Sequence, residues 1–247
     1  MKTSGNTILV TGGGTGIGRA LAHAWHDAGN VVIVTGRTLA SLEETVAGRE
    51  GLHAMVLDVT DPAAIAAFAA QVVARFPALN VLVNNAGIMR YEEIGTARDL
   101  GDAQAMITTN LLGPIRMTDA LVDHLAGQAD AAIVNVSSGL AFVPLVIAPT
   151  YNATKAALHS YTQSLRVALA GKVEVIELAP PGVQTDITPG QATREGYLPL
   201  ATYIAQTMDL FAQVPTPAEV CVPNTLFLRN AEREGRYEQT FAMLNRL

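Results

Sequence analysis

Tyr151 and Lys155 stand four residues apart, so on a helix they share one face about a turn apart. A free tyrosine, with a pKa of about 10, is a poor acid–base catalyst near neutrality. An ammonium about 4 Å away is worth ~4 kcal/mol at an effective dielectric of ~20, enough to lower the phenol's pKa by roughly three. That brings the phenol into working range. Burial acts the other way, so the lysine must outweigh desolvation for the pair to serve. Tyr-x-x-x-Lys also arises by chance in amphipathic helices. Ser138 lies 13 residues before Tyr151, at the end of the apolar run in Asn135-Val136-Ser137-Ser138-Gly139. Its hydroxyl suits a hydrogen bond to a carbonyl oxygen on which charge develops. Ser137 falls on the opposite strand face and is expected to pack.

A second cluster, Thr11-Gly12-Gly13-Gly14-Thr15-Gly16-Ile17-Gly18-Arg19, follows the first apolar run. Glycines at a strand-to-helix turn let the backbone approach a pyrophosphate, whose charge sits on free N–H groups at the positive end of the next helix. The spacing is G-x-x-x-G-x-G rather than the common G-x-G-x-x-G. A turn of purely structural use is the alternative.

The elements that position these residues alternate. Residues 7–10, 31–34, 53–57, 79–83, 131–136 and 173–178 are short β-branched or aliphatic runs, as in buried strands. Between them lie Ala-rich stretches of helical length, 18–28, 39–47, 62–76, 99–125 and 151–170. Repeated strand–helix units imply right-handed parallel crossovers and a doubly wound α/β sheet with helices on both faces. Asp61-Pro62 marks a helix start and Gly29 a helix end. No linker or repeat interrupts the pattern, so residues 1–247 are read as one domain. Residues 184–214 turn to Thr, Pro, Gly and scattered apolar positions, the pattern of a mobile substrate flap. Residues 215–247 form a C-terminal segment in which a seventh strand is left open.

These motifs together resemble the short-chain dehydrogenase/reductase family, in its single-domain branch. The glycine segment matches at Gly12, Gly16 and Gly18, and Asn84-Asn85-Ala86-Gly87 follows the fourth strand as the family's motif does. The resemblance implies a Rossmann-type sheet of order 3-2-1-4-5-6 and catalysis by Asn110, Ser138, Tyr151 and Lys155, with Asn110 holding a proton-relay water. It implies cofactor binding by Gly12, Gly14, Thr15, Gly16, Ile17 and Gly18, by Asp58 and Val59 at the adenine, and by Asn85, Ala86 and Gly87. Tyr151 and Lys155 would meet the cofactor ribose, and Pro181, Gly182, Val183 and Thr185 the nicotinamide. Read alone, the asparagines are also turn formers, Asp58 a helix cap and Asn110 the cap of a helix kink.

Cofactor choice turns on Gly36 and Arg37 at the end of the second strand. An acidic residue there would accept the ribose 2′-hydroxyl of NAD. A glycine followed by a guanidinium leaves room and charge for a 2′-phosphate, which favours NADP(H) over NAD(H). Thr15 stands where relatives often carry a second basic residue, which keeps NAD open.

Other classes are set aside by composition. A net charge of −6 argues against nucleic acid or an anionic membrane as partner. The charge-free run 131–154 contains Asn135, Ser137, Ser138, Gly139, Pro144, Pro149 and Asn152, a mixture unfit for a lipid-facing helix. One cysteine, Cys221, and no signal-peptide core suit a cytoplasmic location. The five histidines show no metal pattern, and neither a G-x-S-x-G elbow nor a phosphate loop of the Lys-Ser/Thr type occurs. The chain ends without the glycine-rich tail of many relatives, which leaves a tetramer open. Apolar helices around 111–125 and 158–169 suit a homodimer. That ending and the run from Ser137 to Leu145 look most like the bacterial DltE-type oxidoreductases. The expectation is an NADPH-dependent carbonyl reductase, also an alcohol dehydrogenase, with a substrate pocket of Met89, Leu140, Val143, Leu145 and Tyr197. These largely apolar walls point to a hydrophobic or aryl ketone. The alternatives are a non-catalytic dinucleotide-binding regulator and an NAD-preferring alcohol dehydrogenase.

Overall fold

The aliphatic runs pair as one seven-stranded parallel sheet, order β3-β2-β1-β4-β5-β6-β7, in the computed structural model, which describes residues 1–247. The strands are β1 (Thr7–Thr11), β2 (Val31–Gly36), β3 (Leu52–Val56), β4 (Leu79–Asn84), β5 (Ala132–Val136), β6 (Glu174–Leu178) and β7 (Glu219–Val220). The seventh strand left open by the sequence is present, two residues long, beside β6.

Successive residues serve opposite faces. Ile8 and Val10 of β1 join Leu21 and Trp25 in one core, while Leu9 between them joins Phe68 and Leu121 in the other. Both faces are covered, so the strands read as unbroken aliphatic runs. One layer holds α1 (Gly16–Asp27) and α2 (Leu39–Val46); the other holds α3 (Pro62–Arg75), α5 (Gly113–Ala126) and α6 (Pro149–Ala168). Asp61 caps α3, accepting from the Ala63 and Ala64 N–H groups with Pro62 at the first helical turn.

Two expectations change. The single helix expected over 99–125 is α4 (Gly101–Ile107) and α5, joined by a π-helical turn, Thr108–Leu112, centred on Asn110. Part of the flap expected over 184–214 is regular structure. Residues Leu200–Phe211 form a regular helix, α7, with Tyr203, Thr207 and Phe211 buried, and the Phe211 ring meets Trp25 of α1 edge-on at 5.5 Å. Burial against α1 supplies what its β-branched and aromatic composition lacks in intrinsic helix preference. The tail contributes α8 (Pro223–Arg229) and α9 (Tyr237–Asn245).

Candidate active site

The carboxyl ends of β1, β2, β4, β5 and β6 open on one cavity of about 1200 Å3, larger than the roughly 300–1,000 Å3 of sites for drug-sized ligands. It runs from Gly36 and Arg37, past the glycine turn, to Ser138, Tyr151 and Lys155. Gly12 and Gly16 have φ of 66° and 51°, which the turn demands and a side chain resists. A Cβ on Gly18 would lie 2.3 Å from the Gly12 carbonyl oxygen and 2.4 Å from Asn85 Nδ2. The asparagine motif pins this turn: Asn85 Nδ2 donates to the Thr11 and Gly12 carbonyls at 2.8 and 3.1 Å. Thr11 Oγ1 accepts from the Asn85 and Ala86 N–H groups, both at 3.0 Å. Asn84 bonds Asn135 of β5 at 2.9 Å and so ties β4 to the strand that carries Ser138.

These residues fit a dinucleotide. The first turn of α1 has no acidic residue and Thr15 makes no side-chain cap, while Gly16, Ile17 and Gly18 line the cavity, leaving N–H groups free for a pyrophosphate. Arg19 is turned away, held by the Gly14 carbonyl, Thr45 and Glu44. Arg37 is exposed at the cavity's far end with no hydrogen-bond or ion-pair partner. Asp58, Val59, Asn85, Ala86, Gly87, Pro181, Gly182, Val183 and Thr185 line the walls between. Asp58 Oδ1 also accepts from Thr60 N and Oγ1 at 2.9 and 2.8 Å, so it shapes the turn as well as the wall.

At the other end, α6 presents Tyr151 and Lys155, both buried. Burial pushes the Tyr151 phenol up to about 12, with Ser138 beside it pulling the other way. Burial pulls the Lys155 ammonium down to about 8, opposed by Glu177. Lys155 Nζ donates to the Val136 carbonyl at 2.8 Å and lies 5.6 Å from the Tyr151 ring centre. The expectation that the lysine lowers the phenol's pKa is therefore corrected, because the ammonium is aimed at a backbone carbonyl and desolvation governs the phenol. Ser138 lies two residues past the end of β5 and accepts from the Leu140 N–H at 3.1 Å. Gly139 beside it has no room for a side chain, since a Cβ there would meet Leu228 of α8 at 2.8 Å. Asn110 is wholly buried and does not line the cavity. Its Nδ2 donates to the Ile88 carbonyl at 2.8 Å and its Oδ1 accepts from the Ile88 N–H at 2.8 Å, clamping the chain after Gly87 to the π-helical turn.

Of the residues expected to wall a substrate, Met89, Leu140, Leu145 and Tyr197 line the cavity, but Val143 is fully buried behind it. Sequence reasoning missed Arg90 and Arg194, and also Asn245 and Arg246 from the tail. Asn245 Oδ1 accepts from the Val146 N–H at 2.7 Å and its Nδ2 donates to the Pro144 carbonyl at 3.1 Å. No local pattern announces a wall built across such a separation. Ser137 is corrected from a packing residue to a donor, its hydroxyl bonding buried Glu177. Glu177 also meets His159, near Glu219. The cluster draws one residue from each of three elements, so no histidine spacing in the sequence marks it. Arg229 grips Glu219 at 2.7 and 3.1 Å, which makes it an ion-pair network.

The model of the short chain dehydrogenase family matches residues 6–196. The chain is similar to oxidoreductase DltE of Bacillus subtilis (strain 168), 42% identical over 79% of this chain and 79% of that protein. It is similar to sulfoacetaldehyde reductase 2 of Chromohalobacter salexigens, 36% identical over 73% of this chain and 74% of that one. Among solved structures, a closed form of serine dehydrogenase complexed with NADP+ superposes with a TM-score of 0.77 at 27% identity, covering 86% of this chain and 90% of that one. No helix is long and apolar enough to cross a membrane. With its parallel sheet, glycine turn and Ser138-Tyr151-Lys155 grouping, the chain belongs to the short-chain dehydrogenase/reductase family, as an oxidoreductase of CH–OH and C=O groups.

Proposed function

We propose that this chain is an NADPH-dependent carbonyl reductase that also runs as an alcohol dehydrogenase. The observation that carries the reading is one continuous cavity with Ser138, Tyr151 and Lys155 at one end and the glycine turn with unpartnered Arg37 at the other. When bound, a nicotinamide dinucleotide supplies or accepts hydride. The Ser138 hydroxyl donates to the carbonyl oxygen and stabilises the charge that grows there. Tyr151, held protonated at neutral pH by its burial, gives its proton to that oxygen as a general acid. Lys155 holds the ribose side of the site, and Asn110 fixes the π-helical turn against which Ile88 and the wall after Gly87 are set.

Arg37 next to Gly36 supports NADPH over NADH, in line with the NADP+ complex of the similar serine dehydrogenase. Met89, Leu140 and Leu145 support a ketone with a hydrophobic or aryl group. A second reading, reduction of a small anionic aldehyde, is favoured by Arg90, Arg194 and Arg246 in the same cavity and by the similarity to a sulfoacetaldehyde reductase. NADPH oxidation by purified protein against aryl ketones, aliphatic ketones and sulfoacetaldehyde tests both. Tyr151→Phe is expected to abolish turnover while NADPH binding stays within a few-fold. Tight NADPH binding with no turnover of any carbonyl overturns the reductase reading in favour of a dinucleotide-binding regulator. The solvent side of α6 carries Ala153, Ala156, Ser160, Ser164 and Val167 without a charge, which supports a homodimer through α5 and α6. Light scattering from the purified protein checks this.

A further inference from the structure

Tyr151, Lys155 and His159 follow one another at four-residue intervals along one stripe of α6. Glu177 of β6 is entirely buried beside the last of them. One of its carboxylate oxygens accepts from Ser137 Oγ, and the other lies 2.6 Å from His159 Nδ1. His159 is itself held by Gln163 at 3.0 Å and by the edge of Phe142. With both oxygens engaged, the carboxylate is fixed in place. No direct salt bridge joins it to Lys155, but its two partners flank that ammonium: Ser137 follows Val136, whose carbonyl accepts from Lys155 Nζ, and His159 lies one turn further along α6. The Glu177 charge opposes the fall in the Lys155 pKa that burial causes.

The other groups around the pair are accounted for. Glu219 on β7 is matched by the two-pronged contact from Arg229 of α8. Arg166 of α6 donates to the Val175 and Ala218 carbonyls. Burial pushes the Cys221 thiol, just after β7, up to about 12, so it is uncharged near neutrality. Lys155 faces Tyr151 on its own helix and Asn110 and Gly87 across the site, none of them anionic near neutral pH. Glu177 is the anion left to offset an ammonium that burial alone drives toward neutrality.

We propose that Glu177 is a positioning residue for the reaction, a buried carboxylate clamped by Ser137 and His159 whose charge keeps Lys155 an ammonium beside Tyr151. The proposal rests on the roles given above to Tyr151 and Lys155. It acts through Lys155 and touches no reacting atom.

The chain has three lysines, Lys2, Lys155 and Lys172, so NMR of protein carrying 13C-labelled lysine follows the buried ammonium without any substrate. In the parent, Lys155 is expected to titrate well below the other two. Glu177→Gln, close to it in shape, is expected to lower the Lys155 midpoint by about one pH unit or more. The alkaline fall of kcat should move down with it. Ser137→Ala removes a bond to the same carboxylate but keeps its charge, so it should lower the melting temperature and leave the Lys155 midpoint in place. Glu177→Asp retains the charge and draws it back, giving a smaller downward shift, and it provides the readout if the glutamine variant does not fold. A Lys155 titration in the Glu177 variants that superimposes on the parent's overturns the proposal, as does an equal shift in Ser137→Ala. A parent that turns over no carbonyl defeats the reductase reading alone, because the lysine titration is read independently of turnover.

Discussion

Lys155 carries an electrostatic cost that shows in stability. Its folded pKa near 8 lies below the unfolded value of about 10.4. Between those values the unfolded chain binds more protons, so the folded state gains stability as pH rises and loses it as pH falls through 8. Lys155→Met is therefore expected to be more stable than the parent at pH 7, on the order of 3 kcal/mol, and closer to it at pH 10, while turnover is lost. Paired thermal melts at the two pH values check this. At the opposite end of the cavity, Arg37→Asp is expected to weaken NADPH at least tenfold and leave NADH unchanged or improved, read as the ratio of kcat/KM for the two cofactors. An unchanged ratio removes Arg37 as the reader of the 2′-phosphate. Ser138, Tyr151 and Lys155 were legible because their spacing is local to one strand end and one helix. Their protonation was not, because burial is a property of what the fold stacks around them. Glu177 was hidden for the same reason, sitting inside a strand whose partners lie 18 and 40 residues away.

At the scale of elements, strands β1, β2, β4 and β5 could be read because β-branched runs bounded by glycine, asparagine or a helix cap have few other uses. Helix α7 could not. Thr202, Tyr203, Ile204 and Thr207 are weak helix formers, and its order depends on burying Tyr203 and Phe211 rather than on local preference. Phe211→Ala is expected to cost roughly 3–5 kcal/mol. Because Trp25 is the single tryptophan, its emission should change with the same variant, and thermal unfolding followed at that wavelength checks both. A loss below 1 kcal/mol would mean that α7 is held from elsewhere. The π-helical turn at Thr108–Leu112 was likewise unreadable, since the partner of its Asn110 side chain is the Ile88 backbone, 22 residues away in the loop after β4.

Over the whole molecule the cavity has two makers. The cofactor side comes from the first six strands and the loops after them, within the part that the family model matches, residues 6–196. The end proposed for the substrate is bordered by Asn245 and Arg246, fastened to the loop after β5 by Asn245. Asn245→Ala is expected to raise KM for the carbonyl substrate several-fold and leave the NADPH Kd within twofold. Steady-state kinetics beside a binding titration separates the two. Equal loss of both would show that the tail supports the whole domain and not one wall.

The contact between Leu228 and Gly139 divides that tail into two unequal parts. Helix α8 presses on the backbone beside Ser138, so a bulky replacement there is transmitted to the position proposed to hold the carbonyl oxygen. Helix α9 borders the cavity with Leu244 and Asn245 and is fastened to the loop after β5 by Asn245. A lineage drifting toward a new substrate can rewrite α9 around Asn245 without disturbing the backbone at Ser138, whereas changes in α8 press on it directly. For laboratory evolution, randomised libraries belong in α9, with α8 kept as the invariant buttress.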